Sequence, residues 1–419
     1  MSTQQVPGAP TPSASFCPLH DAGTCPSCPH MDLPLADQLV RKQARVDALL
    51  TDGANPVPAS AWEAPQASAP ARFRNKAKMA VSGTVDAPVL GLADAHGLSV
   101  DLRTCPLHVP AVEEALPVLA RLISRLRLRP YDIAADTGDL KHVLVTASPD
   151  GDLMVRLVCR TADRVPDVRA ALPRLRGELP GLAVVSVNVQ PVHQAVLEGP
   201  EEHVLTDAVL GLADRLLMRL SLPATEHGPE RELPLLLPTR SFFQTNTAVA
   251  ESLYATAAEW AHDLTAPGGA ADAGGRPTEV WDLFCGVGGF GLALTGPGRR
   301  VRGVEVSAPA IDGAREAARL MGLPEEAASF EAGDARVLDP ASGAVPDLLV
   351  VNPPRRGIGA DLAARIEASG APRVLYSSCN PVSLSKDLAR MPALRVRRAR
   401  LFDMFPHTDH AEVLVELVR

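Results

Sequence analysis

Three stretches of the chain carry side chains that can do chemistry together. The first is Asp282-Leu-Phe-Cys-Gly286-Val-Gly288-Gly-Phe-Gly291, directly after an apolar run. Glycines 286, 288 and 291 match G-x-G-x-x-G, a spacing that lets the amides of a helix N-terminus approach a ligand closely. Glu305 follows about 20 residues on, where a carboxylate can accept both hydroxyls of a ribose. Such a loop fits a dinucleotide or S-adenosylmethionine (SAM), and downstream residues must decide between them. Asp334, in Gly-Asp-Ala, is placed to contact an adenine, and a plain surface carboxylate is an equal reading of it.

The second stretch is Asn352-Pro353-Pro354-Arg355-Arg356-Gly357. Adjacent prolines fix the backbone at a strand end, where α/β sheets bind ligands. Asn-Pro-Pro also occurs in methyltransferases of exocyclic amines, usually followed by an aromatic; Arg355 stands there and weakens that reading. The third combines Ser377-Ser-Cys379-Asn380-Pro with Phe405-Pro-His407-Thr-Asp-His410-Ala-Glu412. Cys379 opens a helix, whose N-terminal dipole and amides favour a thiolate. Glu412 starts an apolar run and can project into the same cleft. A buried structural Cys and a surface Glu are the plainer readings. His407 and His410 suit loop orientation or phosphate contact better than zinc, which needs further ligands.

One reaction uses all of these parts. Carbon 5 of uracil is a poor nucleophile, but a thiolate added at carbon 6 makes an enolate there that can take a methyl group. A base then removes the carbon-5 proton and the thiolate leaves. Cys379 as nucleophile, Glu412 as base and the Gly286 loop as the SAM site fill these roles. Cytosine C5 methylation also uses a Cys, but the Glu412 motif favours uracil. A non-enzymatic RNA-binding protein has no use for the complete set.

The elements that must position these residues follow from patterning. The length, 419 residues, suggests two or three domains. No run approaches a membrane span and no secretory signal is evident, so a cytoplasmic protein is expected. Short apolar strands alternate with helices over 239–419 (280–284, 301–306, 348–351, 374–377 and a C-terminal pair), which predicts a parallel, Rossmann-like sheet. Residues 72–238 mix strands and helices with no crossover pattern and predict an α+β central domain. Pro117 and Pro173 fall inside its two helical stretches. Residues 1–71 read as a flexible tail, a Cys-rich segment, a helix over Pro34–Leu50 and a Pro/Ala/Ser-rich linker from Asp52 to Ala71.

Net charge is −8, which argues against a general nucleic-acid coat but not against local basic patches. Arg72, Arg74, Lys76 and Lys78 form one such run, and Arg395, Arg397, Arg398 and Arg400 another; each is a candidate for phosphate contact, the second equally for a solvated face. Of seven cysteines, Cys17, Cys25 and Cys28 cluster, and Cys105 makes a fourth soft ligand. Spacing alone leaves zinc, with three Cys plus His20 or His30, beside an iron–sulfur cluster. Cys159 and Cys285 read as packing residues.

In their order, Ser241-Phe-Phe-Gln244-Thr-Asn246, the Asp282–Gly286 loop, Asn-Pro-Pro-Arg-Arg-Gly, Ser-Ser-Cys-Asn and Phe-Pro-His-Thr-x-His-x-Glu resemble the SAM-dependent RNA uracil-5-methyltransferases. The likeness extends through Phe73–Met79 and Asn188–His193 and covers most of the chain from Cys17 onwards. It implies Cys379 as nucleophile, Glu412 as the proton-removing base, SAM contacts at Gln244, Phe284, Glu305 and Asn352, and a 4Fe-4S cluster on Cys17, Cys25, Cys28 and Cys105. That cluster would tie the tail to the central, RNA-recognition domain. Relatives acting on tRNA or other rRNA sites usually have Asp where Asn352 stands; the Asn form is similar to the branch that modifies 23S rRNA. A hairpin loop of 23S rRNA is therefore the expected partner, since a looped uracil leaves its stack easily; a tRNA or another rRNA uridine is the alternative, because the catalytic motifs would be the same. No obligate protein partner is expected. The departures, a longer N-terminal tail and a glycine-rich insertion at 267–277, touch no motif.

Overall fold

A stripe of residues spaced by four, Gln38, Lys42, Val46 and Leu50, is buried along helix α2 (Leu35–Thr51), which follows a single helical turn α1 (Pro18–Asp21). Side chains four apart share a face, so half of this stripe is polar and must find partners inside. The computed structural model describes residues 15–93, 98–193, 197–206, 214–264, 276–335 and 344–419. Residues 1–14 of the expected tail and 267–275 of the insertion lie outside the described residues.

The central sheet contains β1 (Lys76–Gly83), β2 (Pro88–Ala93), β3 (Ser99–Asp101), β4 (Leu140–Ala147), β5 (Leu153–Cys159), β6 (Leu182–Val189) and β7 (Glu201–Val204), in the order β3-β2-β1-β4-β5-β6-β7. Helices α3 (Pro110–Arg125) and α4 (Val165–Glu178) cover one face. Contrary to the sequence expectation, a crossover is present: β5 and β6 pair in parallel across α4. Both strands are buried on both faces, the pattern of parallel strands. Pro117 and Pro173 sit on exposed helix faces, where the lost backbone bond opens to water, so both helices run through them.

The hairpin of β8 (Arg215–Leu222) and β9 (Arg231–Pro238) lies within the 72–238 span but buries Leu216, Met218, Leu220, Leu233, Leu235 and Leu237 in the core of the C-terminal sheet. That sheet is built from β10 (Thr278–Leu283), β11 (Arg299–Glu305), β12 (Ala328–Ala332), β13 (Leu348–Val351), β14 (Arg373–Ser378), β15 (Arg395–Phe402) and β16 (Glu412–Val418). Its order is β12-β11-β10-β13-β14-β16-β15, parallel up to β14, with β16 antiparallel to both of its neighbours. Helices α5 (Thr247–Trp260), α6 (Gly289–Ala293) and α7 (Ala308–Leu320) pack on one face with the hairpin. Helices α8 (Gly359–Ser369) and α9 (Pro381–Leu388), together with Val46, Leu50 and Val57, pack on the other. A Cβ on Gly313 of α7 would lie 2.4 Å from the Leu236 carbonyl oxygen, so glycine is required where α7 crosses β9.

The expected linker is a docked strand-like edge. Glu63 N–H donates to Ala399 O (2.8 Å), Gln66 N–H to Leu401 O (2.7 Å) and Asp403 N–H to Gln66 O (2.9 Å). Prolines at 56, 58, 65 and 70 preclude a regular ladder, yet the amides between them still cover the open edge of β15. Among the described residues, no helix is long and apolar enough to cross a membrane.

Candidate active site

The strand order reverses between β10 and β13, and in open α/β sheets ligands bind at the carboxyl ends of the strands beside such a switch. A cleft of about 790 Å³ lies there. It is lined by Gln244, Phe284, Glu305, Asn352, Cys379 and Glu412, so six residues spread from 244 to 412 in sequence meet in one place. Asp334 is at its exposed rim.

The glycine loop turns sharply out of β10. Phe284, Gly286 and Gly288 have φ of 67°, 55° and 87°, and the left-handed value is uncommon for a phenylalanine. Gly291 N–H donates to Asp282 Oδ2 (2.8 Å), anchoring α6 to the buried end of β10. Burial raises Asp282 to about 7. Glu305, at the end of β11, accepts from Ser307 N–H through Oε1 (3.1 Å). Gln244 is buried in the loop before α5, and its carbonyl accepts from Asn75 Nδ2 (3.0 Å).

Cys379 and Glu412 come together through strand register. β14 and β16 pair Ser377 with Leu414 and Ser378 with Val413; one more step sets Cys379 opposite Glu412. Glu412 is 1% exposed, and burial lifts its carboxyl to about 7 against hydrogen bonds from Ser377 and Asn352 that favour the charged form. Cys379 immediately precedes Asn380, the cap of α9, whose Oδ1 accepts from Val382 N–H (3.2 Å). The expected lowering of its thiol does not occur: burial and the Glu412 charge push it up, and Arg355 only partly offsets them.

The loop before Glu412 is clamped from the N-terminal segment by the polar half of the α2 stripe. Lys42 Nζ bonds Asp403 Oδ1 (2.5 Å) and Phe405 O (2.8 Å), with both members of the ion pair buried. Gln38 Oε1 accepts from His407 N–H (2.8 Å), and Gln38 Nε2 meets His407 Nδ1 (3.1 Å). His407 therefore orients the loop, from a left-handed φ of 65°. His410 lies beside Arg355 (3.2 Å) at the cleft mouth. Sequence reading missed Gln38, Lys42 and Ser377; the four-residue spacing in α2, and a hydroxyl two residues before Cys379 on one strand face, were the available signals.

Cys17, Cys25, Cys28 and Cys105 surround a cavity of about 140 Å³ together with Arg74. Burial first, then the neighbouring cysteines, raise Cys28 to about 12. Among the described residues, no three of these sulfurs lie within 4.8 Å of one another. Cys159 and Cys285 are buried in the cores of the central and C-terminal sheets. Of the basic residues, Arg72 and Lys78 are exposed, whereas Arg74 and Lys76 are drawn inward, and burial lowers Lys76 to about 8. Half of the second run is engaged internally: Arg398 pairs with buried Glu416 (3.0 Å), and Arg400 holds Ala64 O and Thr256 Oγ1, whereas Arg395 and Arg397 are exposed.

A doubly wound sheet with a glycine loop and an acidic residue ending the second strand, with a Cys and a Glu side by side in the same cleft, is the architecture of a SAM-dependent methyltransferase fold. A likeness to the Pyrococcus abyssi tRNA (uracil-54, C5)-methyltransferase, solved with S-adenosyl-L-homocysteine, supports the fold: TM-score 0.69 at 23% identity, covering 94% of this chain and 86% of that one. The tRNA (Uracil-5-)-methyltransferase family pattern matches residues 344–419. The protein named 23S rRNA (uracil(747)-C(5))-methyltransferase RlmC from Halothiobacillus neapolitanus is 45% identical over 96% of this chain and 99% of its own. Its namesake from Serratia proteamaculans is 42% identical over 96% and 99%. The chain belongs to the RNA uracil-5-methyltransferase family.

Proposed function

We propose that the protein transfers the methyl group of SAM to carbon 5 of a uridine in 23S rRNA, at the equivalent of the uracil 747 in its relatives' names. The observation that carries the chemistry is the register that sets Cys379 opposite Glu412 at the mouth of the glycine-loop cleft. The Cys379 thiol gives up its proton to solvent, the thiolate adds to carbon 6 of the uracil, and the electron pair of the 5,6 double bond moves to carbon 5. SAM supplies the methyl group that carbon 5 takes. Glu412 then accepts the carbon-5 proton, and the sulfur leaves as the 5,6 double bond re-forms. A carboxyl poised at about 7 suits this base, because proton transfer is most effective when the catalytic group titrates near working pH. Gln244, Phe284, Glu305 and Asn352 hold the cofactor, and Asp334 is available at the adenine end. Exposed Arg72 and Lys78, with Arg355 and Arg356 at the mouth, are the groups for RNA phosphates.

The four N-terminal thiols suit an iron–sulfur cluster better than zinc. Tetrahedral zinc with Zn–S bonds of about 2.3 Å needs sulfurs about 3.8 Å apart. Four cysteines around one cavity, no three of them that close, are a thiolate set that a 4Fe-4S group can use through Cys17, Cys25, Cys28 and Cys105. Methyl transfer moves no net electrons, so the role is structural. The segment carries Phe16 and His30, which contact His407 and Asp409 of the loop before Glu412.

Two variants test the site. Glu412→Gln should accumulate a covalent RNA–protein adduct on denaturing gels in the presence of SAM. Cys379→Ala should form none, lose turnover and keep SAM affinity by calorimetry. Normal turnover by Cys379→Ala would remove the nucleophile.

A further inference from the structure

We propose that Ser377 and Asn352 are positioning residues for the base: together they hold one oxygen of Glu412 so that the other faces the cleft. This rests on reading Glu412 as the acceptor of the carbon-5 proton. Three adjacent strands supply the arrangement. Ser377 lies opposite Leu414 across the β14–β16 pair, which makes Glu412 its diagonal neighbour on the same sheet face. Val351 pairs with Tyr376, so Asn352 follows one step beyond, beside Ser377.

Ser377 Oγ donates to Glu412 Oε1 (2.5 Å), and Asn352 Nδ2 donates to the same oxygen (3.2 Å). Asn352 Nδ2 also donates to the Ser377 carbonyl (3.2 Å). That carbonyl can only accept, so it turns the NH₂ of Asn352 toward Glu412. An aspartate at 352 would set a second carboxylate against the first. Ser377 is 0% exposed and Glu412 1%, so no water competes for Oε1. Glu412 nevertheless lines the cleft, while Ser377 does not. A carboxylate pinned through one oxygen presents the other in a single orientation, as proton abstraction at a fixed carbon requires. Both donors also favour the ionised form of a group that burial would otherwise keep protonated.

The experiment follows single-turnover tritium release from RNA labelled at uridine carbon 5, across pH, with SAM affinity measured alongside. Losing a hydrogen bond to a buried carboxylate, or adding a like charge beside it, raises its pKa by about one unit. Ser377→Ala and Asn352→Asp should therefore each move the acidic limb of the rate profile about one unit higher. Ser377→Ala should leave SAM affinity unchanged. Ser377→Thr, which returns the hydroxyl, should bring the limb back. A limb unmoved in Ser377→Ala or Asn352→Asp overturns the role of that residue. A limb still displaced in Ser377→Thr assigns the shift to repacking and overturns the role of the hydroxyl. Tritium release at the wild-type rate by Glu412→Gln would instead reject the base itself.

Discussion

A glutamate sealed at the start of β16 keeps its proton from its ordinary 4.5 up to about 7. Because the folded chain holds that proton more tightly than the unfolded chain does, the linked stability is fully present below pH 4.5. It drains as pH rises toward 7. Glu412→Gln has no charge to bury and should melt higher than wild type at pH 8, with the gap closing at pH 5. Equal melting offsets at both pH values would contradict the raised pKa. At the residue scale, sequence picked out the six residues that meet in the cleft: Glu305, Cys379 and Glu412 from their own chemistry, and Gln244, Phe284 and Asn352 only through the family resemblance. The titration of Cys379 was not legible. Its helix position suggested a lowered thiol, and only the fold brings in the burial and the Glu412 charge that push it up.

The strongest dependence at the element scale is between α2 and the loop that leads into β16. Removing one member of a buried ion pair leaves the other charge unpaired, at about 3–5 kcal/mol. Lys42→Met should cost about that much in denaturant unfolding. Adding Asp403→Leu should recover most of it, because the stranded carboxylate is gone. A single-variant loss well under 1 kcal/mol would show that the clamp carries little stability. The α2 boundaries were readable to within a residue from apolar spacing. The polar half of its buried stripe was not, because Gln38 and Lys42 look solvent-facing until Asp403 and His407 are placed against them. The linker failed for a related reason: its prolines signal irregular chain, while its edge pairing depends on where β15 ends up. The β5–α4–β6 crossover was hidden because strand pairing is non-local.

At the scale of the whole molecule, the Cys-rich segment joins the two sheets. Cys105 lies beside Arg74, just ahead of β1: Arg74 N–H donates to Leu107 O (2.8 Å), and Asn75 N–H donates to Thr245 O (2.9 Å) in the loop of Gln244. His30 and Phe16 reach the other wall, at Asp409 and His407. Anaerobically purified protein should be brown, with about four iron per chain, and Cys105→Ser should lose both colour and iron. Stoichiometric zinc in the wild type would contradict the cluster.

Methyl transfer to 23S rRNA is tested most directly by nucleoside mass spectrometry. Anaerobically purified protein is incubated with SAM and either unmodified 23S rRNA or unmodified tRNA, and the product is mapped. New 5-methyluridine confined to one hairpin loop of 23S rRNA is the expected result. Product in tRNA alone would contradict the substrate, and no 5-methyluridine in either RNA would contradict the reaction.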